Sequence, residues 1–217
     1  MLEGEEIDVI IVGQTGVGKS SLINMIIGVP DGSAEAAKVS NGVRPCTTQT
    51  TVYSTSLETG LRCRLWDTRG LDESVGTNYV WPMAKMMDRI RQLASQQVRE
   101  LKETLRDRTG VTIPILVWCI DATRIDVPVH WQQFHKVYVE YCERKAIPVV
   151  VITRGPPRAT DWETKCTDQL RSLDLGVDVP FRVVRMHRGP SSQEYVEDSK
   201  ALRDLIAELV MDNSPWK

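Results

Sequence analysis

No apolar run in this chain approaches the roughly 18 residues that a membrane-crossing helix needs; the longest, Val111 to Ile120, is interrupted by Thr112 and Pro114. No C-x-x-C pair occurs among the five cysteines, Cys46, Cys63, Cys119, Cys142 and Cys166. An odd number without that spacing argues against a disulfide framework or a zinc site and for reduced thiols. Cys63 and Cys119 fall in strand-like stretches and are expected in the core. His130, His135 and Glu140 do not form H-E-x-x-H, which removes the metalloprotease reading. Internal repeats and low-complexity linkers are lacking as well. Neither the acidic start, Met1 to Glu6, nor the stretch Asp212 to Lys217 carries a targeting signal or a prenylation box, so the chain as given is expected to be soluble and cytoplasmic. A formal charge of −2 gives no global pull toward nucleic acid, and none is indicated as a partner. What remains, 217 residues with 41% apolar and 26% charged side chains, fits one soluble globular domain.

Against those absences stands one dense motif, Gly13-Gln14-Thr15-Gly16-Val17-Gly18-Lys19-Ser20, which reads G-x-x-x-x-G-K-[ST]. Ile7 to Val12 precedes it as a buried strand, and Ser21 to Gly28 follows at helical spacing, closed by a glycine. Glycines let the loop backbone curl so that its N–H groups face phosphate oxygens. The helix that starts near Gly18 adds its positive end. Lys19 supplies a point charge for the β- and γ-phosphates, and Ser20 offers its hydroxyl to Mg2+. The nucleotide-binding set is therefore Gly13, Gln14, Thr15, Gly16, Val17, Gly18, Lys19, Ser20 and Ser21.

Strand and helix patterns alternate along the rest of the chain, which argues an α/β fold with a mostly parallel sheet. Gly28 to Cys46 reads as a long loop. Thr47 to Leu57 and Leu61 to Trp66 flank Thr59-Gly60 as a hairpin. Tyr79 to Arg108 repeats apolar residues at threes and fours, as one long helix or two joined ones, with Met83, Met86, Met87, Ile90, Leu93, Val98, Leu101 and Leu105 on the apolar face. Ile113 to Ile120 and Ile147 to Thr153 are buried strands, and His130 to Lys145 is an amphipathic helix. Asp161 to Leu173 is a helix with Thr160 as N-cap. Phe181 to Met186 is the last strand and Ser192 to Met211 the last helix. Trp66 and Trp118 are expected in the core, and Trp81, Trp131, Trp162 and Trp216 at the surface.

Two further elements lie where a nucleotide site needs them. Asp67-Thr68-Arg69-Gly70 ends a strand after the phosphate-loop unit, which places Asp67 on the Mg2+ side and lets the Gly70 N–H approach a γ-phosphate. Between the two motifs, Arg44-Pro45-Cys46-Thr47-Thr48-Gln49-Thr50 carries threonine hydroxyls that can complete the Mg2+ shell. Thr48 is the first choice and Thr47 the second. Lys19, Thr48 and Gly70 form the catalytic set, and Ser20, Thr48 and Asp67 the metal set.

In this order and spacing, the phosphate loop, threonine loop and W-D-T-R-G resemble the small G-domain of the translation-factor-related GTPases. The likeness is to the septin-like branch (septins, chloroplast import GTPases, immunity-associated GTPases) and to the ribosome-assembly GTPases. It spans about residues 7 to 187. The resemblance implies a three-layer domain with a six-stranded sheet flanked by helices, a guanine nucleotide (GTP or GDP) with Mg2+, and slow hydrolysis coupled to a switch. It places the base at Thr153 and Arg154, which fit the first two positions of T-K-x-D. Pro156 stands where that motif has its guanine-reading Asp, so adenine remains an open alternative. His187 is a candidate base contact. Asp121, at a strand end, reads as a turn cap. Leu71 replaces the glutamine that orients the attacking water in many GTPases. The missing group is then expected from a dimer mate or protein partner, with Arg44, Arg69 and Arg124 as candidate arginines. A P-loop ATPase or kinase and a nucleotide-binding scaffold without useful turnover are the other readings.

Overall fold

Runs of β-branched and aliphatic residues without alternation form strands covered on both faces, and the sheet is built around such runs. The computed structural model of the chain describes residues 6–39, 50–71, 96, 98–109, 113–155, 162–184 and 192–213. Strand β1 (Glu6–Gly13) leads into helix α1 (Lys19–Ile27). The hairpin β2 (Thr51–Ser56) and β3 (Arg62–Asp67) follows, then a helical segment, α2 (98–109). Strand β4 (Ile115–Asp121), helix α3 (Pro128–Lys136), strand β5 (Ile147–Thr153), helix α4 (Trp162–Ser172), strand β6 (Phe181–Val183) and helix α5 (Gln193–Asp212) complete the order.

The strands form a six-stranded sheet in the order β2-β3-β1-β4-β5-β6. Only β2 runs antiparallel to its neighbour, as a hairpin must. Helices cover both faces. On one, Val9 and Ile11 of β1 pack with Leu22, Ile23 and Ile26 of α1 and Leu202, Leu205 and Ile206 of α5. On the other, Ile10 and Val12 pack with Leu101 and Leu105 of α2, Trp131 and Phe134 of α3 and Cys166 of α4. The alternation of β1 between the two clusters is the period-2 rule applied to a strand buried on both sides.

Several expectations shift. Helix α3 begins at Pro128 rather than His130, because proline suits the first helical turn, where its missing N–H costs nothing. It ends in a π-helical turn, Val137–Tyr141. Trp131, expected at the surface, is instead in the core at 1% exposure, where its indole N–H donates 2.7 Å to Ile125 O. Trp118 is core, as expected, whereas Trp66 is only half-buried. Its N–H donates 2.8 Å to Asp8 and its ring lies under the Arg108 guanidinium. The last strand stops at Val183. Thr160 and the methionine cluster lie outside the described residues, as do the side chains of Trp81, Trp162 and Trp216.

Four cysteines are buried as free thiols. Burial pushes Cys63 up to about 11, tempered by Arg203, and Cys119, Cys142 and Cys166 up to about 12. A thiol without access or thiolate does not alkylate. Native protein treated with iodoacetamide at pH 8 is therefore expected to carry label on none of the four by peptide mapping. Labelling of Cys119 in folded protein would contradict this packing.

Candidate functional site

All the strand ends that matter meet at one edge. Parallel pairing sets Gly13 beside Cys119, Ile11 beside Asp67 and Asp121 beside Thr153. After β1 the chain crosses to β3 on one side and later returns to β4 on the other, so the loop after β1 sits at the switch point where such sheets bind ligands.

The phosphate-loop sequence takes a matching form. A Cβ on Gly13 would lie 2.5 Å from the Cys119 carbonyl, so only glycine fits against β4 there. Gly16 and Gly18 adopt positive φ, 79° and 95°. Gly18 caps α1 without a side chain, and the first turn of α1 carries no acidic residue, which leaves a positive helix end facing the loop. Lys19 is 6% exposed and folds over the loop, its Nζ donating 2.9 Å to Gln14 O and 3.2 Å to Gly13 O. Ser20 Oγ donates 2.8 Å to Oδ2 of Asp67, itself 2% exposed. A hydroxyl and a carboxylate oxygen together are a donor set suited to a hard cation such as Mg2+, with phosphate oxygens completing the shell.

The Asp67-Thr68-Arg69-Gly70 segment is fastened to this loop. Thr68 Oγ1 donates 2.6 Å to Ile11 O. Gly70 rests on Thr15, so that a Cβ there would lie 2.7 Å from both the Thr15 Cα and N. Leu71 then donates its N–H 3.1 Å to Gly13 O and pairs with Gln14 as an isolated parallel bridge. The Leu71 side chain is 8% exposed and belongs to the α2–α3 core. Its apolar character removes a water-orienting group, and its direction does so as well.

The turn after β4 reaches both ends of the site. Arg124 donates 2.9 Å to Oε1 of Gln14, whose Nε2 reaches Gln133 of α3 at 3.4 Å. Asp121 caps the turn, accepting from the N–H and hydroxyl of Thr123, as expected. Its other oxygen accepts from Arg154 at 2.9 Å. Burial pushes the Asp121 carboxyl up, but the Thr123 bonds and the Arg154 charge outweigh it and hold the group below the usual carboxylate range. Thr153 is fully buried and donates 2.6 Å to Val17 O of the phosphate loop. Sequence reasoning missed the Asp121–Arg154 and Arg124–Gln14–Gln133 links. The available signal was Asp121 ending a buried strand at the same edge as Asp67 and Thr153.

Behind the phosphate loop, α1 also anchors the loop that follows it. Asn24, fully buried, donates 2.6 Å to Asp31 and 3.1 Å to Ala37 O, and accepts 2.6 Å from the Ala37 N–H. Ser21 Oγ adds a 3.3 Å bond to Asp31. Of the sequence-derived set, Thr48 and His187 lie outside the described residues, as do Thr47, Arg44 and Pro156. The rest converge on one edge of the sheet.

Residues 8–154 match the model of the 50S ribosome-binding GTPase family. Among solved structures, the chain is similar to Aquifex aeolicus Era in a variant bound to GDP and aluminium fluoride, at 15% identity and a TM-score of 0.56. It is also similar to Era in complex with MgGDPNP and a segment of 16S ribosomal RNA, at 16% identity and a TM-score of 0.57. Both alignments cover 94% of this chain but only 56% of the other, and at such identity they speak for the fold alone. A comparison with curated proteins gives no match.

Proposed function

The chain belongs to the 50S ribosome-binding GTPase family, and from that premise we propose that it binds GTP with Mg2+ and hydrolyses it slowly, as a switch stimulated by self-association or a protein partner. The observation that carries this reading is the convergence of Lys19, the Ser20–Asp67 pair and Gly70 on one loop at the carboxyl edge of the sheet. The whole chain is read as one G domain with its core at 7–187.

Lys19 and the loop N–H groups hold the phosphates. Ser20 and Asp67 would hold Mg2+, with Thr48 the further ligand that the sequence offers; bound there, the ion would screen phosphate charge and polarise the γ-phosphoryl group. Gly70, close to the loop backbone, offers its N–H to the γ-phosphate. Thr153 and Arg154 are assigned to the base end, and His187 is kept as a candidate base contact from the sequence alone. With Leu71 committed to the core, no side chain from that position orients water, which supports a low intrinsic rate and a group supplied in trans. Arg124, exposed and steadied by Gln14, is one of three arginines on offer. Thr153-Arg154 in place of N-K supports the septin-like branch.

The test is to titrate GTP, GDP, ATP and a non-hydrolysable GTP analogue with Mg2+, then follow phosphate release against protein concentration. GTP-selective binding with intrinsic turnover below about 0.01 per second, rising with protein concentration, is expected. Preference for ATP would overturn the guanine assignment. Tight GTP binding without release would leave the scaffold reading, which Leu71 favours.

A further inference from the structure

We infer that Asp121 is a positioning residue for the base end of the site: it fixes the Arg154 guanidinium as a flat shelf on which a purine stacks. The inference rests on the nucleotide-binding function proposed above. Register brings the two residues together, since Asp121 pairs with Thr153 across β4 and β5, and Arg154 is the next residue out of the sheet. The backbone around Arg154 is tied on both sides. Thr153 is bonded to Val17 of the phosphate loop, and the Gly155 N–H donates 3.3 Å to Val184 O beside β6.

Between those ties Arg154 takes a positive φ of 56°, a left-handed conformation that costs a non-glycine residue energy. Strain of this kind persists where surrounding bonds fix it and is a pointer to function. Here it aims the side chain at Asp121, which holds one guanidinium nitrogen at 2.9 Å. Asp121 is itself pinned by two bonds from Thr123, so it is a fixed anchor rather than a swinging partner. The Arg154 side chain nevertheless keeps 56% of its surface exposed. A planar cation held at one nitrogen and open to solvent is a stacking surface for an aromatic ring. It stands one residue from the Thr153 bond to the phosphate loop. Stacking accepts any base, so the shelf adds affinity without choosing guanine.

The experiment compares GTP, ATP and inorganic tripolyphosphate affinities, by competition against a fluorescent nucleotide, for wild type, Asp121→Asn, Arg154→Ala and the double variant. Asparagine keeps an oxygen for Thr123 and loses the charge that holds Arg154. Each single variant is expected to weaken GTP and ATP alike by about tenfold, the size of one stacking contact, while tripolyphosphate stays at the wild-type value. The double variant should lose no more than Arg154→Ala alone, because the two residues act as a unit. Equal losses for GTP and tripolyphosphate would mean that the pair merely props the phosphate loop, and would overturn the inference. So would losses that multiply, or variants that match wild type while wild type binds GTP. A wild-type protein that binds no triphosphate overturns the inference and the proposed function together.

Discussion

Lys19→Ala is expected to weaken GTP binding by at least about a hundredfold and to leave the melting temperature unchanged or slightly raised. The opposite signs have one cause. Lys19 is nearly fully buried beneath its own loop, with Nζ on two main-chain carbonyls. A cation in that position is desolvated, and bonds to main-chain carbonyls only partly offset the loss of water. Against a triphosphate the same cation makes charge-assisted bonds of about 1.5–3 kcal/mol each, and two of them amount to two or more decades in affinity. Calorimetric titration with GTP and Mg2+, beside a thermal melt, checks both halves. Lys19→Met, which keeps the apolar stem, should behave alike. Unchanged GTP affinity would refute the phosphate-loop assignment whatever the melts show.

Gly70→Ala should cut phosphate release by about a hundredfold while GDP affinity changes by less than about threefold. The new methyl group would meet the backbone of Thr15 at 2.7 Å, so no side-chain rotation relieves it. The segment must instead draw away from the phosphate loop, loosening the Leu71 bond to Gly13 O. Overpacking of this kind costs about 1–3 kcal/mol. Displacement of the Gly70 N–H would withdraw the donor proposed for the γ-phosphate, and the loss of such a donor is worth roughly two to three decades. Thr15→Gly in the same protein removes the clash with the Thr15 hydroxyl but should not restore turnover, because the main-chain N and Cα of residue 15 still obstruct the methyl group. Single-turnover phosphate release and a GDP titration separate the effects. Full turnover in Gly70→Ala would remove Gly70 from the γ-phosphate, and rescue by Thr15→Gly would assign the clash to a side chain.

The parts of this molecule that local chemistry determines could be read from the sequence. The run from Ile7 through Ile27 states its strand, loop and helix within twenty-odd residues, and β5 is bounded as expected because its apolar run is continuous. Thr59-Gly60 supplies the turn that makes β2 and β3 antiparallel neighbours. What could not be read depends on register between distant strands. Asp121 and Arg154 are 33 positions apart, and Gln14 and Arg124 are 110 apart. Nothing near either residue announces the other. Leu71 was legible as a missing glutamine, but its direction follows from the bridge to Gln14, a tertiary fact. Trp131 shows the same limit on a smaller scale, since its burial follows from packing against the sheet and from the Ile125 carbonyl.

The bonds from Asn24 to Asp31 and Ala37 have a mechanical consequence. Ser20 and Asn24 are four residues apart on α1, one above the other on the same face, with a rise of about 6 Å between them. One bonds Asp67 and the other clasps the backbone of Ala37. A helix this short and this well packed moves as a rigid body. A displacement of α1 at Ser20 would therefore be carried to Ala37 along the helix axis, a shorter route than the intervening loop.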